Sequence, residues 1–223
     1  MDLGQLWNHF GCTDIFEAGP RPVHSLEDWN AMRRAYQSVV GIDKSSIPRI
    51  LKDEGENDSP SDSKISYNSG FHVPVIAKQA GEYKGRGVFL ADDATEPVQR
   101  GTLVWNTKFT ARFDKGEDYR QFLSSIRADF ACDVLQWAYV QAVMYDGDRT
   151  EKPFISVDLD EGSFINSVDG DFDDEPNVGC IENSLPGGCK ENYFALRTIH
   201  PGEELVLDYS DFAISHGWRW FGL

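Results

Sequence analysis

Three stretches of this chain put chemically capable groups at turns and strand ends. In Lys84-Gly85-Arg86-Gly87-Val88-Phe89 two glycines flank one arginine. Without side chains there, a ligand can lie directly against the main chain and its N–H and C=O groups. Asn166, after Phe164-Ile165, carries an amide that both donates and accepts hydrogen bonds. The run Ala195 to Tyr209, with Pro201-Gly202-Glu203-Glu204 before Leu205-Val206-Leu207-Asp208-Tyr209, reads as a turn feeding a strand that ends in a phenol. Plainer readings exist for the first and the last: a tight turn and a hairpin whose tyrosine simply packs. Five acids follow Asn166 (Asp169, Asp171, Asp173, Asp174 and Glu175). Such oxygen clusters suit calcium, but the spacing fits no calcium loop, so they read as a solvated acidic loop. Cys180 and Cys189 fall short of the roughly four ligands of a zinc site, and no metal is expected.

The surrounding pattern must position these groups. Residues 1–52 read as a small helical appendage, with a helix starting at His24 or Ser25 and running through Leu26, Trp29, Met32, Tyr36 and Val40 to Gly41. Residues 53–64 hold no apolar side chain and read as a flexible acidic linker. Short β-type runs follow at Phe71 to Ala77, Gly87 to Ala91 and Gly101 to Trp105. The period then changes: Tyr119, Phe122, Leu123, Ile126, Phe130, Val134 and Trp137 predict one long or two short helices over Tyr119 to Tyr145, with the stripe as core. Strand character returns at Phe154 to Leu159, Tyr193 to Arg197 and Glu204 to Tyr209, so the fold class is α+β with small sheets.

In this order the three stretches resemble the signature of the SET-domain protein lysine methyltransferases. The resemblance spans roughly Phe71 to Phe212. It implies several small β-sheets, a helical insert and a C-terminal segment threaded beneath a loop formed by its predecessor. It further implies S-adenosylmethionine as methyl donor and a lysine amine of a basic protein, possibly a histone tail, as acceptor. By the same resemblance Lys84, Gly85 and Arg86 hold the donor through main-chain groups, and Asn166 and Ser167 contact it as well. Tyr209 becomes the catalytic phenol and a donor contact, while Leu207 and Phe212 line the substrate channel. The catalytic domain is expected at 71–212, able to fold alone, with 213–223 as an aromatic tail in which Trp218, Trp220 and Phe221 stand where many members carry a zinc segment.

This chain departs from the family pattern at Ser167, where the family has histidine, and at Trp105 to Phe109, where Glu-Tyr-x-Gly-Glu is common. Those departures support a second reading, a catalytically inactive SET-like module that binds a basic peptide or scaffolds a complex. The family also has an aromatic where Leu207 stands. A smaller side chain without a hydroxyl implies room for more than one methyl group.

Composition narrows the partners. Lys+Arg 21 against Asp+Glu 37 leaves a net charge of −16, which repels nucleic acid and attracts basic protein. No apolar run approaches the roughly 18 residues that span a bilayer, and Met1 to Pro20 lacks a signal-peptide pattern. An intracellular protein, nuclear or cytoplasmic, is expected. Its four cysteines (Cys12, Cys132, Cys180, Cys189) are too sparse for a disulfide scaffold and are expected to be reduced.

Overall fold

The computed structural model describes residues 1–50, 69–81, 85–144, 151–168, 175–181 and 191–223. The expected linker, Lys84, Cys189 and residues 169–174 of the acidic insertion lie outside them.

Capping chemistry fixes the N-terminal helices. Asp2 accepts from Gln5 N at 2.8 Å while the Gln5 side chain accepts from Asp2 N at 3.0 Å, which starts α1 (Leu3–Phe10). Gly11, left-handed at φ 67°, ends it and opens α2 (Cys12–Glu17). Ser25 and Asp28 form the same reciprocal box at the start of α3 (Leu26–Val40), and Gly41 ends it, as the sequence predicts.

These helices are not a separable appendage. Leu6, Trp29, Met32 and Tyr36 are buried in the same core as the strands. Arg33, 1% exposed, donates from Nε to Leu159 O at 2.9 Å and stacks on Phe109 with its guanidinium carbon 3.8 Å from the ring centroid. The appendage expected at 1–52 thus shares its core with the domain expected at 71–212: the apolar stripe of α3 is buried against it. The cysteine expectation is corrected. Cys12 and Cys132 are bonded, because packing of the first helices on the insert brings residues 120 apart in sequence to a Cα separation of 5.3 Å.

The strands form four small sheets among the described residues, the α+β arrangement expected. β1 (Val75–Gly81) and β2 (Gly85–Leu90) make an antiparallel hairpin. β3 (Leu103–Asn106) belongs to a second sheet, described with its partners below, and β4 (Thr110–Phe113) opens a third. The helical insert then supplies α4 (Gly116–Ser125) and α5 (Ala128–Trp137), separated by an extended Ile126. Their buried Tyr119, Phe122, Leu123, Phe130 and Val134 are the stripe read from the sequence.

The helix ends at Trp137, short of the expected span. Residues Tyr139–Met144 form β5, which pairs with β6 (Glu151–Asp158), itself flanked on its other edge by β4. Apolar residues this dense satisfy either period, and the partner strand decides between them. β7 (Asn166–Ser167) and β8 (Val178–Gly179) are two residues each. β9 (Asn192–Ala195) joins β3 to β8, and β10 (Val206–Leu207) runs parallel to β7. The C-terminal tail packs closely: a Cβ on Gly116 would meet Phe221 O at 2.1 Å, and Trp218 lies 5.9 Å from the Tyr119 ring.

Deleting residues 1–50 is expected to give insoluble protein or a loss of cooperative melting, and Trp29→Ala to cost about 3–5 kcal/mol of stability. A soluble truncation with a sharp thermal transition would show that the remaining core suffices.

Candidate functional site

The site is built on the C-terminal segment, held from two sides. Towards β2, Gly202 N donates to Leu90 O (2.8 Å), Leu90 N to Glu203 O (2.9 Å) and Leu205 N to Val88 O (2.7 Å). The chain then crosses to β7, where Val206 pairs with Asn166 and Leu207 with Ser167. Val168 N donates to Leu207 O at 2.9 Å. Asn177, 1% exposed, completes the capture with its amide. Its Oδ1 accepts from Val206 N (2.9 Å), and its Nδ2 donates to Glu204 O (2.7 Å) and Glu203 Oε1 (3.2 Å). One side chain thus stands in for a strand partner.

Asn166 is the junction between this segment and the glycine hairpin. Its Nδ2 donates to Arg86 O at 3.0 Å and to Glu204 Oε1 at 2.7 Å. Both amide hydrogens are used, so Oδ1 is what the side chain has left to offer. The two glycines do different jobs. Gly85 turns the hairpin at φ 69°. A Cβ on Gly87 would sit 2.6 Å from Glu204 Oε1 and 2.8 Å from Ala80 Cβ, so this glycine makes room for the Asn166–Glu204 contact itself.

Arg86 points into a charge cluster. It forks onto the carboxylate of Asp133 with two contacts of 3.0 Å, while Arg21 reaches the same group with two of 3.1 Å and His24 Nε2 lies 3.0 Å away. Asp133 is fully buried. Burial works to raise its pKa, and the close His24 contact together with hydrogen bonds from Arg21 and Arg86 outweighs it, holding the carboxyl far below the usual range. The Arg86 guanidinium also covers Phe164, 4.4 Å from the ring centroid.

A cavity of about 850 Å³ connects these parts. One end is walled by Gly85, Arg86 and Asn166 together with Phe16, Pro20 and Arg21 from the N-terminal region. The other end holds Leu207, Tyr209 and Phe212, with Tyr139, Asp158 and Tyr193 around them. The residues expected at the site therefore share one cavity, except two. Ser167 is not on its wall, and its Oγ accepts from Tyr209 N at 3.3 Å. Lys84 falls outside the described residues.

Tyr209 donates its hydroxyl to Ile165 O at 2.6 Å. The residue is 43% exposed, but the phenol end is enclosed, and burial with Asp158 nearby pushes its pKa up to about 12, so it stays a neutral donor. Sequence reasoning missed Arg21, His24, Asp133 and Asp158 as parts of the site. Only an unpaired acid on the otherwise apolar face of α5 hinted at the first three.

The SET domain family model matches residues 85–210, from the first glycine of the hairpin to just past Tyr209. Comparison with curated proteins finds no match.

Asn177→Ala would leave the part-buried Val206 N–H and the Glu204 carbonyl without the partners that Asn177 supplies, while Glu203 keeps its pairing with Arg197. A stability loss of more than about 2 kcal/mol is expected in denaturant titration. A loss below about 0.5 kcal/mol would mean that β2 and β7 hold the segment without it.

Proposed function

The chain belongs to the SET-domain family, and on that premise we propose that it is a protein-lysine methyltransferase, moving a methyl group from S-adenosylmethionine to the side-chain amine of a lysine in a basic protein. The observation that carries the reading is the single cavity running from the glycine hairpin, past Asn166, to Tyr209. Its volume lies within the range of small-molecule sites.

The residues present fit the donor. The side chain of Arg86 is drawn aside onto Asp133, Gly85 adds no side chain of its own, and among the described residues nothing donates to Asn166 Oδ1. Main-chain groups of Gly85 and Arg86 and the Asn166 carbonyl are the groups that would hold it. When bound, the donor supplies a methyl group on a sulfonium, open to in-line displacement by a neutral amine.

The chain's own residues do the rest. A lysine with pKa near 10.4 must lose its proton before it can attack. Enclosure by Tyr139, Tyr193, Tyr209 and Phe212 keeps bulk water from the amine once it is neutral. Rate comes chiefly from alignment, for which the Tyr209 hydroxyl and the Ile165 carbonyl, already joined to each other, form a fixed polar rim. The net charge of −16 favours approach of a lysine-rich segment, a histone tail or another, over nucleic acid. No helix among the described residues is long and apolar enough to cross a membrane.

A second reading is an inactive SET-like module that binds basic peptides, favoured by one observation: both amide hydrogens of Asn166 and the hydroxyl of Ser167 are occupied internally. Calorimetry with S-adenosylmethionine separates the two, since absence of binding would favour the module. Given binding, a methylation assay over a panel of basic proteins is expected to show transfer, and Tyr209→Phe to lower it about 10²-fold while leaving the fold intact. Unchanged turnover in that variant would remove Tyr209 from the mechanism.

Product multiplicity follows from Leu207. It lines the cavity at 4% exposure with no hydroxyl to anchor a water beside the amine. Trp218, a candidate to fill the space, packs on Tyr119 instead, while Phe212 lies 5.7 Å from the Tyr209 ring. Exhaustive methylation is expected to end at di- or trimethyllysine by mass spectrometry, and Leu207→Tyr to shift products towards one methyl. A wild-type product stopping at one methyl would show that Phe212 restores the restriction.

A further inference from the structure

The end of the cavity away from the glycine hairpin contains an unusual combination. Phe212 is the hub of a ring cluster, with centroids 4.9 Å from Tyr139, 6.1 Å from Tyr193 and 5.7 Å from Tyr209, and Trp105 lies 5.0 Å from Tyr193. All five rings line the cavity, and so does one carboxylate, Asp158, at the end of β6. Asp158 is only 7% exposed.

Its neighbours are mostly hydroxyls. Asp158 Oδ1 accepts from Thr110 Oγ1 at 2.5 Å, and the Tyr139 hydroxyl is a second hydrogen-bond partner. The charged and titratable groups facing it are Arg112 from β4, Asp160 from the turn after β6, Tyr139 from β5 and Tyr209 from the C-terminal segment, with Tyr193 of β9 beside Tyr139. Arg112 is held by Glu191 at 3.5 Å and covers Phe154. No ion pair to Asp158 is found among the described residues, and Asp160 opposes its charge. A buried carboxylate whose facing cation, Arg112, is turned onto Glu191 rather than paired with it, and which is ringed by aromatic faces that attract cations, is half of a cation site. The missing half is an ammonium.

We propose that this end of the cavity is a cation-recognition pocket in which Asp158 pairs with the substrate's ammonium and takes its proton. The proposal rests on the methyltransferase reading and identifies how that site selects its substrate. In the step, one N–H bond of the ammonium breaks and an O–H bond forms on the Asp158 carboxylate. The electron pair of the broken bond stays on nitrogen, where displacement needs it. The proton returns to water through the open cavity before the next transfer.

Two features make Asp158 a suitable acceptor. Burial pushes its pKa up to about 7, against the lowering effect of Thr110, so it holds a proton better than an exposed aspartate. Enclosure also penalises two facing charges more than the neutral amine and acid that replace them. Mono- and dimethylammonium keep both the charge and an N–H, so the same pocket accepts them, in line with the room left by Leu207.

The test uses binding rather than turnover. The probes are n-butylammonium chloride, which copies the end of a lysine side chain, and 1-pentanol as a neutral counterpart, both titrated calorimetrically into the full chain. At pH 8, where Asp158 is ionised, butylammonium should bind about tenfold more tightly than pentanol. That preference should vanish as pH falls through about 7 and the carboxyl protonates. Asp158→Asn should abolish the preference at every pH while pentanol affinity holds. Thr110→Val, which removes a bond that stabilises the ionised form, should move the pH midpoint upward. Equal preference in Asp158→Asn, or no pH dependence in the wild type, would overturn the proposal. Should Asp158→Asn fail to fold, the wild-type profile and the Thr110→Val shift still decide it. A protein that shows the preference but methylates nothing would refute the methyltransferase reading and leave the cation pocket standing.

Discussion

A carboxylate removed from water must be compensated on every side, and Asp133 is compensated by groups that come from different parts of the chain. Arg86 belongs to the glycine hairpin, Arg21 and His24 to the segment between α2 and α3, and Asp133 itself to α5. Losing a partner would weaken that compensation, and breaking a buried ion pair outright costs about 3–5 kcal/mol in comparable sites. Secondary structure does not join these three regions to one another through a shared sheet. The ion cluster does. It also aims Arg86 away from the hairpin turn, which leaves the main chain there as the surface the cavity sees.

A second set of constraints is neutral and works by hydrogen-bond satisfaction. β7 and β10 are two residues each, far too short to hold a chain by ladder bonds alone. Asn166 and Asn177 make up the deficit: the first ties Glu204 to Arg86 O, the second gives Val206 and Glu204 the partners that a longer strand would give. Gly87 is required because those contacts occupy the space a Cβ would fill. Tyr209 therefore reaches Ile165 O from a segment fixed immediately before it on two sides.

Much of this was legible in the sequence where local chemistry dictates local structure. Ser25 with Asp28 and Gly41 delimits α3 on propensity alone, and the stripe from Tyr119 to Val134 marks buried helix faces. Glycine spacing, Asn166 and the terminal tyrosine located the cavity wall because each motif is continuous in sequence. What was not legible depends on distance. Residues 139–144 satisfy helical and strand periods alike until β6 lies beside them. Cys12 and Cys132 are ordinary core cysteines unless two helices bring them together. Asp158 reads as one more acid in an acidic protein, and only the rings gathered from β3, β5, β9 and the C-terminal segment give it a setting.

The N-terminal region owes its place at the cavity to two links of different kind. The Cys12–Cys132 bond anchors α2 to α5, and nine residues further on Arg21 is paired with Asp133, the residue next to Cys132. Between these anchors Phe16, Gly19 and Pro20 have little freedom, and they form the wall facing the hairpin. Closing a loop of this length restricts the unfolded chain by about 4–5 kcal/mol in the chain-entropy view. The effect on the cavity is more specific. Sheets formed by β1 to β10 set the position of Tyr209 and Asp158, whereas α5, through adjacent side chains of one turn, sets how far the opposite wall stands from Gly85. The wall near the hairpin and the wall around Tyr209 thus rest on contacts from different elements.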